Sequence, residues 1–505
     1  MAPRPTFRRL KRVLFVVAIG GSALFAIPAW EWWSSPVDTV GTLDFDNALR
    51  IPPLAESRVE DGTRVFDLEF QAGRTQFLDG LATETWGLNG TYLAPTLRAS
   101  RGEEVRVDVT NGLDEATTLH WHGMKLPARA DGGPHQMVEP GEMWSPTWTI
   151  DQPATTLWFH PHLHEATADH VYRGAAGMFI LDDPEAEALD LPDSYGVDDV
   201  PVIIQDRAFD DDNQFTEREP FLGNVGVLGD EILVNGTHDP HFEVATELVR
   251  LRVLNASNAR VYDLQFDDDR PFQLIGTDGG LLEAPVALEH LLLSPGERAE
   301  IVVTMEPGER TVLQSITPDL GTNILSGSRT NGSSDSFDIL QLRAADQLAD
   351  AGSVPDQLVA MDRPREDEAV RRRTFDLGNS RINDRKMDMS RIDQVVIVDT
   401  TEIWEITNEH GLPHSFHPHL IHFEVLGING RPPPPRLAGW KDTIYVPPGQ
   451  TFRVIARFED HADPEVPYMF HCHLLAHEDA GMMGQFLVVE EGDEVPERLD
   501  VAHGE

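Results

Sequence analysis

The sequence Phe470-His471-Cys472-His473-Leu474-Leu475-Ala476-His477-Glu478-Asp479-Ala480-Gly481-Met482-Met483 contains the single cysteine of the 505 residues. Successive side chains on a β-strand point to opposite faces, so His471 and His473 would share a face that Cys472 does not. Thiolate, imidazole and a weak axial thioether are the ligands of blue-copper electron-transfer sites. We therefore expect Cys472, His477 and Met482, with one more histidine from elsewhere, to hold a copper ion. The alternative is a buried free cysteine with incidental histidines.

Histidines separated by one residue recur along the chain. Chance would place fewer than one such pair among 20 histidines in 505 residues, yet the sequence has five. They are His120/His122, His160/His162, His162/His164, His417/His419 and His471/His473. On a strand both imidazoles of a pair point to one face, which suits two ligands of one metal cluster. Four pairs supply eight imidazoles, enough for three copper ions, although imidazole also binds zinc and a single pair could belong to an ordinary core.

The composition excludes several classes of protein. A net charge of −45 and an isoelectric point near 4.6 argue against nucleic-acid binding, which requires clustered lysine and arginine. One cysteine cannot form an internal disulfide, so the chain is not a disulfide scaffold and its thiol is free to bind metal. We expect packing and bound metal to stabilise the part of the chain that follows the N-terminal segment.

The first 36 residues differ in kind from the rest. Basic residues precede an apolar run at positions 13–30, which is the order found in export signals. These basic residues are Arg4, Arg8, Arg9, Lys11 and Arg12. The Arg8-Arg9 pair loosely resembles a twin-arginine signal, which would export a protein already folded around its metal. We expect an exported, extracytoplasmic body, with an uncleaved membrane anchor at 13–30 as the alternative because the run nears spanning length.

The remainder consists of short strand-like segments separated by turn residues. Val105, Val107 and Val109 alternate with polar residues before an Asn111-Gly112 turn. In Val249-Arg250-Leu251-Arg252-Val253 the apolar residues alternate with arginine, which predicts a half-buried strand. The pattern therefore predicts an all-β chain of sandwiches.

Polar breaks divide this body into three blocks. The predicted domains span 40–185, 190–345 and 374–492, with a charged, partly helical linker at 346–373 and a polar tail at 493–505. Within the second domain, the Gly/Ser/Asn-rich residues 321–336 predict a long exposed loop. The histidine pairs fall in the first and third domains only, so we expect the metal cluster at their junction. We expect the second domain to act as a spacer.

Four motifs resemble the copper-binding motifs of the multicopper oxidases. They are His120-Trp121-His122-Gly123, Trp158-Phe159-His160-Pro161-His162, His414-Ser415-Phe416-His417-Pro418-His419, and His471-Cys472-His473 with His477 and Met482. The resemblance covers essentially the whole body after the N-terminal segment. It implies three consecutive cupredoxin-like Greek-key β-sandwich domains and four copper ions.

The resemblance also implies a set of ligands. A type 1 copper would be held by His414, Cys472, His477 and Met482. A type 2 copper would be held by His120 and His417. Two type 3 coppers would be bound by His122, His160 and His473 and by His162, His419 and His471. His164 matches a position that is usually not a ligand.

By the same resemblance, a small-molecule electron donor is oxidised near the type 1 copper and O2 is reduced to water at the three-copper cluster. Asp131 and Glu478 look like the acidic residues that relay protons in related bacterial enzymes. A carboxylate near copper ionises readily and can pass protons through water. The alternative for either residue is a purely structural carboxylate.

Within that family, the sequence is most similar to bacterial copper-tolerance oxidases and bilirubin-oxidase-like laccases. The similarity lies in Gly439-Trp440-Lys441-Asp442-Thr443 and in Glu478-Asp479-Ala480-Gly481-Met482-Met483. Copper-tolerance enzymes often carry a methionine-rich insertion, whereas only Met387 and Met389 cluster here. His410 and Leu412 also stand where a cuprous-ion site would want carboxylate and thioether. We therefore expect a laccase-like oxidase of phenols or similar donors.

Two other functions stay open at this point. The first is a cuprous oxidase that serves copper tolerance. The second is a non-catalytic cupredoxin scaffold of the kind involved in cell division. Such scaffolds resemble multicopper oxidases but have lost copper ligands, whereas every ligand position in this sequence is filled.

Overall fold

The computed structural model describes residues 35–217, 225–322 and 328–499. Strands dominate these residues, and the predicted all-β class is confirmed. The α-helices in the described part are short, at Thr167–Tyr172 (α1), Pro184–Glu187 (α2) and Leu475–Asp479 (α3). Single 3-10 turns lie at Ala128–Ala130, Ser328–Asn331, Glu366–Glu368 and Pro435–Leu437.

The predicted export segment lies almost wholly outside the described residues, which begin at residue 35. In the part of the chain that the structure describes, no helix is both long and apolar enough to cross a bilayer. Export, and an anchor at 13–30, therefore stay predictions.

The first third of the chain forms two facing sheets, the first sandwich. The strands from this third are β1 (Asn47–Ala48), β2 (Ser57–Glu60), β3 (Thr63–Thr75), β4 (Thr83–Leu88), β5 (Leu97–Ser100), β6 (Glu104–Asn111), β7 (His120–His122), β8 (Met143–Trp144), β9 (Thr147–Thr149), β10 (Thr155–His160) and β11 (Gly177–Asp182). One sheet runs β2-β3-β6-β8, with β4 on β3 and β9 on β6, and the other runs β5-β11-β10-β7. Val107 on β6 and Phe159 on β10 meet in one core between the sheets.

The middle third forms a second pair of sheets, the middle sandwich. Its strands are β12 (Asp199–Arg207), β13 (Glu231–Val234), β14 (Thr237–His238), β15 (Pro240–Thr246), β16 (Leu248–Asn255), β17 (Tyr262–Phe266), β18 (Phe272–Thr277), β19 (Gly280–Leu288), β20 (His290–Leu293), β21 (Arg298–Thr304), β22 (Arg310–Ile316) and β23 (Phe337–Ala349). The sheets run β14-β13-β12-β16-β21-β18-β19 and β1-β15-β23-β22-β17-β20. Leu251 on β16 and Leu313 on β22 belong to the core that both sheets share.

The last third forms the third sandwich. Its strands are β24 (Ala369–Gly378), β25 (Arg381–Ile382), β26 (Gln394–Ile397), β27 (Thr400–Asn408), β28 (His414–Pro418), β29 (Phe423–Ile428), β30 (Ile444–Val446), β31 (Gln450–Phe458), β32 (Asp463–Cys472) and β33 (Met483–Val489). The sheets run β25-β24-β27-β31-β29 and β26-β33-β32-β28-β30. Trp404 on β27 and Phe470 on β32 pack in the core between them, which also contains Cys472.

Three segments differ from the sequence expectation. β1 pairs with residues 240–241, so the start of the predicted first domain is bonded to the middle sandwich. In the predicted linker, β23 continues to Ala349 and β24 begins at Ala369, and the expected helix is one 3-10 turn. The stretch at 321–336 is not exposed throughout, because Asp335 is buried and accepts a hydrogen bond from Arg260 at 2.6 Å.

Strand β16 is buried on both faces, although its sequence predicts a half-buried strand. Arg250 and Arg252 are only 6% and 3% exposed. Arg252 donates to Asp199 at 2.6 Å and to Glu300 at 2.9 Å, and Arg250 also bonds to Glu300. Thr156 of the first sandwich donates to Glu300 at 2.6 Å. The arginines therefore lie in an interface between two sandwiches, where carboxylates pair their charge.

Candidate metal centre

Four strands bring the histidine pairs to one place. In the first sandwich β7 pairs antiparallel with β10, which sets His120 opposite His160. In the third sandwich β28 pairs antiparallel with β32, which sets His417 opposite His471. The remaining members of three pairs lie just beyond the ends of their strands, at His162, His419 and His473.

Side chains from the first and third sandwiches form three buried groups of histidines. Within a group, one nitrogen of each member lies within 4.8 Å of the others. The groups are His120/His417/His419, His122/His160/His473 and His162/His419/His471, and we call them together the histidine cluster. All eight residues are at most 1% exposed. The structure therefore brings together all four pairs assigned to the three-ion site, and it places His419 in two groups rather than one.

Hydrogen bonds fix which ring nitrogen of several histidines faces the cluster. In three of them Nδ1 bonds to a backbone carbonyl, namely His120 to Asp131 (2.9 Å), His160 to Pro161 (2.7 Å) and His417 to Asp442 (2.8 Å). A carbonyl only accepts, so Nδ1 carries the proton. Nε2 of each ring is buried and bonds to no described group. These rings thus present a lone pair to the cluster.

Three further rings point their nitrogens at one another. His471 Nε2 lies 3.1 Å from His162 Nε2 and 3.3 Å from His419 Nε2. On the other side of these rings, Nδ1 of His471 faces the Glu478 carboxylate, which favours the proton on Nδ1, and Nδ1 of His419 faces Asp131. Lone pairs at this separation repel unless a cation lies between them. The arrangement therefore fits a bound metal ion.

His122 is oriented the opposite way from these rings. Its Nε2 lies 3.1 Å from Asp442 Oδ1 and 3.1 Å from Thr443 Oγ1. Nδ1 is buried and has no hydrogen-bond partner within the described part of the chain. This ring therefore presents Nδ1 to the group that it forms with His160 and His473.

Burial keeps His120, His160, His162 and His473 neutral. It lowers the pKa of His160 to about 3 and the pKa of His162 to about 4. It also lowers the pKa of His120 and of His473 well below the usual range. Neutral imidazole is the form that binds metal, so these four rings can bind a metal ion at neutral pH without first losing protons.

Cys472 is the centre of a fourth group, the cysteine site. Its Sγ lies 3.6 Å from Nδ1 of His414 and 3.6 Å from Nδ1 of His477. The Cys472 amide donates to the Met482 carbonyl at 3.0 Å, which brings the predicted axial ligand next to the cysteine. Burial raises the pKa of Cys472 to about 12, so the thiol keeps its proton until a metal replaces it.

Besides Asp442, two more fully buried carboxyl groups contact the histidine cluster. Asp131 Oδ2 lies 2.6 Å from His419 Nδ1, and Glu478 Oε2 lies 2.9 Å from His471 Nδ1. Burial raises the pKa of Asp131 well above its usual value. Burial also opposes ionisation of Glu478, but His162 and His471 outweigh it, and the pKa of Glu478 is lowered. Asp131 therefore favours the protonated acid, whereas Glu478 favours the carboxylate.

The middle sandwich also reaches the histidine cluster, contrary to the spacer role expected for it. Arg298, the first residue of β21, donates to both carboxylate oxygens of Asp442 at 2.7 and 2.6 Å. A Cβ atom at Gly296 would lie 3.1 Å from the rings of His122 and His473. The backbone at Gly296 thus closes one side of the cluster.

The sequence alone gave no role to Asp442, Arg298 or Gly296. Asp442 stands in a motif quoted above only for its similarity to other proteins. Arg298 and Gly296 are next to no histidine or cysteine in the sequence, so no ligand spacing points to them. Only the folded structure shows that they lie beside the cluster.

The donor set fits copper. A soft thiolate, two imidazoles and a nearby thioether suit a blue-copper ion, and imidazole suits the copper ions of a cluster. Several of the rings have one nitrogen fixed by a hydrogen bond and the other free, which is how histidines are oriented toward bound metals. Cys472 joins the two sites, because His471 and His473 on either side of it belong to the histidine cluster.

Comparison with known proteins points the same way. Family profiles described as multicopper oxidase match residues 69–186 and 355–492. The cell division protein FtsP of Xenorhabdus nematophila is 38% identical over 87% of this chain and 92% of its own. The multicopper oxidase mco of Staphylococcus haemolyticus is 34% identical over 88% and 92%. The solved structure of CueO, a laccase-like multi-copper oxidase from Ochrobactrum sp., is 37% identical, covers 87% of this chain and 100% of its own, and has a TM-score of 0.79.

Proposed function

The chain belongs to the multicopper oxidase family, whose cupredoxin fold it shares, and we propose that it oxidises phenolic or similar donors with O2. One electron at a time would leave the donor at the cysteine site. Four electrons, together with four protons, would reduce O2 to two waters at the histidine cluster. The proposal includes four copper ions, with one at the cysteine site and three at the cluster.

One observation carries this proposal. Cys472 lies 3.6 Å from two imidazole nitrogens at the cysteine site, while the residues on either side of it are members of the histidine cluster. A single covalent segment therefore connects a site suited to electron transfer with a site suited to several metal ions. A mononuclear copper protein or a zinc protein would need only one of these sites.

The bound coppers would supply the one-electron steps and the reduction of O2, and the protein would orient and protonate. His414, Cys472, His477 and Met482 would hold the ion at the cysteine site, and the eight histidines would hold the other ions. Asp131 lies against His419, and its raised pKa suits a group that would hold a proton and give it to the cluster. Glu478 lies against His471, and its lowered pKa suits a carboxylate that would accept a proton and pass it on to the cluster. Burial of all these groups excludes bulk water.

The choice of phenolic donors has support from sequence and from a relative. The methionine-rich insertion of many copper-tolerance enzymes is missing from this sequence. The Ochrobactrum relative is described as having oxidase activity towards lignin model compounds and lignosulfonate. We propose the same substrate class here. A cuprous oxidase would instead show a much lower KM for Cu(I) than for phenols, which steady-state O2 uptake with both donors would reveal.

The first experiment is to measure the copper content, visible spectrum and O2 uptake of the purified protein with a phenolic donor. About four coppers per chain, an intense blue absorption and O2 uptake are expected from the ligand set. Loss of the thiolate in Cys472→Ser should abolish the blue absorption and the oxidase activity. Met483→Leu, a change at the buried residue next to the predicted ligand Met482 in the sequence, should keep both.

A second function is favoured by a different observation. Several curated relatives at 37–38% identity carry the name cell division protein FtsP. A structural role in cell division would not need a loaded copper cluster. One copper or none after reconstitution, with no O2 uptake, would reject the oxidase and favour that role.

We also propose that the protein acts outside the cytoplasm. Support comes from the basic residues followed by the apolar run at positions 13–30. Cell fractionation and N-terminal sequencing of the mature protein test this proposal. A full-length chain in the soluble cytoplasmic fraction would contradict it.

A further inference from the structure

Arg298 has all of its side-chain donors satisfied. The residue is 1% exposed, and a guanidinium carries five N–H groups. Nε donates to the Thr156 carbonyl at 3.0 Å. Nη1 donates to the Gly296 carbonyl at 3.1 Å and Nη2 to the Asp278 carbonyl at 2.9 Å. The last two N–H groups bind the two oxygens of Asp442, so the guanidinium is held in one orientation.

These contacts join the three sandwiches at the edge of the histidine cluster. Thr156 lies on β10 of the first sandwich, Asp278 follows β18 of the middle sandwich, and Asp442 precedes β30 of the third. Lys441 extends the network, with Nζ 2.9 Å from Asp278 and 2.8 Å from Glu297. Asp442 is thus held facing the cluster by the Arg298 guanidinium of the middle sandwich.

The fixed carboxylate decides where His122 carries its proton. Asp442 Oδ1 lies 3.1 Å from His122 Nε2, and a carboxylate can only accept. Thr443 donates its own hydroxyl to Asp442 Oδ1 at 2.8 Å, so toward His122 it also acts as an acceptor. Nε2 therefore carries the proton, and Nδ1 keeps the lone pair that faces His160 and His473.

We propose that Arg298 is a positioning residue that holds Asp442 against His122 Nε2 and thereby commits His122 Nδ1 to copper. The inference rests on the proposed function, because it concerns one ligand of the proposed cluster. Without the two-pronged bond from Arg298, Asp442 can rotate and His122 can take either tautomer. Outer partners of metal-binding histidines typically contribute about 10- to 100-fold in metal affinity.

The test compares two Arg→Lys variants. Arg298→Lys keeps the positive charge but cannot bind both oxygens of Asp442. The matched control is Arg373→Lys, because Arg373 forms a buried two-pronged pair with Glu402 at 2.5 and 2.7 Å in the third sandwich. Arg373 otherwise bonds to Gln394 and Val395, neither of which belongs to a ligand group. Any general effect of losing a buried guanidinium pair is common to both variants.

Two quantities are measured. Nitrogen NMR of copper-free protein labelled with 15N-histidine reports the tautomer of His122, assigned by comparison with His122→Gln. Copper titration against a competing chelator reports affinity. We expect the Nε2–H tautomer in the unmodified protein and its loss in Arg298→Lys. We also expect cluster affinity to fall about 10- to 100-fold in that variant, with the copper at Cys472 and the Arg373→Lys protein unchanged.

Two results would overturn the inference. The first is an Nδ1–H tautomer of His122 in the unmodified copper-free protein, a measurement that needs no variant to fold. The second is an Arg298→Lys protein with the original tautomer and the original copper affinity. Failure of the proposed function is distinct from both, since it would appear as an unmodified protein that binds no copper at the cluster.

Discussion

At the scale of single residues, the chemistry of Cys472 follows from its burial. Burial raises the pKa of the thiol to about 12, so at pH 8 only about one thiol in 10,000 is ionised. Thiolate is the reactive form. We expect native copper-free protein to resist an alkylating reagent at pH 8 and to react completely in denaturant, as measured by intact mass. Rapid alkylation of the native protein would show that Cys472 is accessible and ionised.

Gly132 is a second residue whose surroundings predict a measurable effect. Its φ is +74°, and a Cβ atom there would lie 1.8 Å from the Leu119 carbonyl oxygen, next to His120 and directly after Asp131. Gly132→Ala should therefore destabilise the fold by more than the about 1–2 kcal/mol of the left-handed conformation alone, and it should displace Asp131. Urea unfolding of the copper-free protein measures the change.

Gly141→Ala is the control for Gly132→Ala, because it measures the cost of the backbone conformation alone. Gly141 has a φ of +77°, and no described atom lies within 4 Å of its would-be Cβ. This variant should lose only the about 1–2 kcal/mol of the unfavourable conformation. Equal losses in the two variants would mean that the turn at Gly132 relaxes around the added methyl group.

The residue scale is also where sequence reasoning succeeded and where it stopped. The spacing of two between histidines predicts that both lie on one strand face, and β7 places His120 and His122 in this way. Cys472 and His477 are only five residues apart, so their proximity is local as well. Asp442 and Arg298 are 144 residues apart, and no local pattern relates them. Contacts of this kind depend on how whole sandwiches dock.

At the scale of strands, β16 and β21 form a buried charged interface. Burial opposes ionisation of Glu300, but Arg250 and Arg252 overcome it and lower the pKa of Glu300 from 4.5 to about 2. A carboxyl group with a lowered pKa in the folded state stabilises the protein above its unfolded pKa. This contribution is therefore present above about pH 4.5 and is lost as the pH falls toward 2.

Glu300→Gln tests the interface. The substitution leaves Arg250 and Arg252 without their shared charge, so we expect a loss of about 3–5 kcal/mol in unfolding free energy at pH 7. The loss should shrink as the pH falls from about 4.5 toward 2, since the unfolded state then gains a proton that the folded state does not take up until the pH nears 2. Glu405→Gln is the control, because its partner Arg453 lies 3.7 Å away in a partly exposed pair. A similar loss in both variants would contradict the role of burial.

The strands also explain one error of prediction. Alternating arginines on β16 indicate a solvent-facing side when the strand is considered alone. In the structure that side packs on the first sandwich, where Thr156 bonds to Glu300, while Asp199 of the neighbouring strand β12 pairs with Arg252. Periodicity reports polarity, not exposure, so a strand paired across an interface has the same sequence pattern as a strand at the surface.

At the scale of the whole molecule, the centre exists only where the sandwiches meet. His120 of the first sandwich stacks on His419 of the third with ring centroids 3.8 Å apart, and His122 stacks on His417 at 3.7 Å. The histidine pairs predicted the junction of the first and third sandwiches. They could not predict the role of the middle sandwich at the cluster. That sandwich contributes the backbone at Gly296 and the guanidinium of Arg298, and neither is a metal ligand.

Because all eight cluster histidines are buried, the stability of the copper-free protein should fall as the pH falls. Burial lowers the pKa of His160 from 6.5 to about 3 and that of His162 to about 4, so between those values the unfolded chain binds protons that the folded chain excludes. Stability is then complete above about pH 6.5 and falls as the pH drops. Each such histidine contributes up to about 1.4 kcal/mol per pH unit.

Urea unfolding at pH 7.0, 6.0 and 5.5 should show this fall in copper-free protein, and His160→Gln should reduce its slope. A flat profile would mean that water reaches the imidazoles and that the cluster is open without its metal.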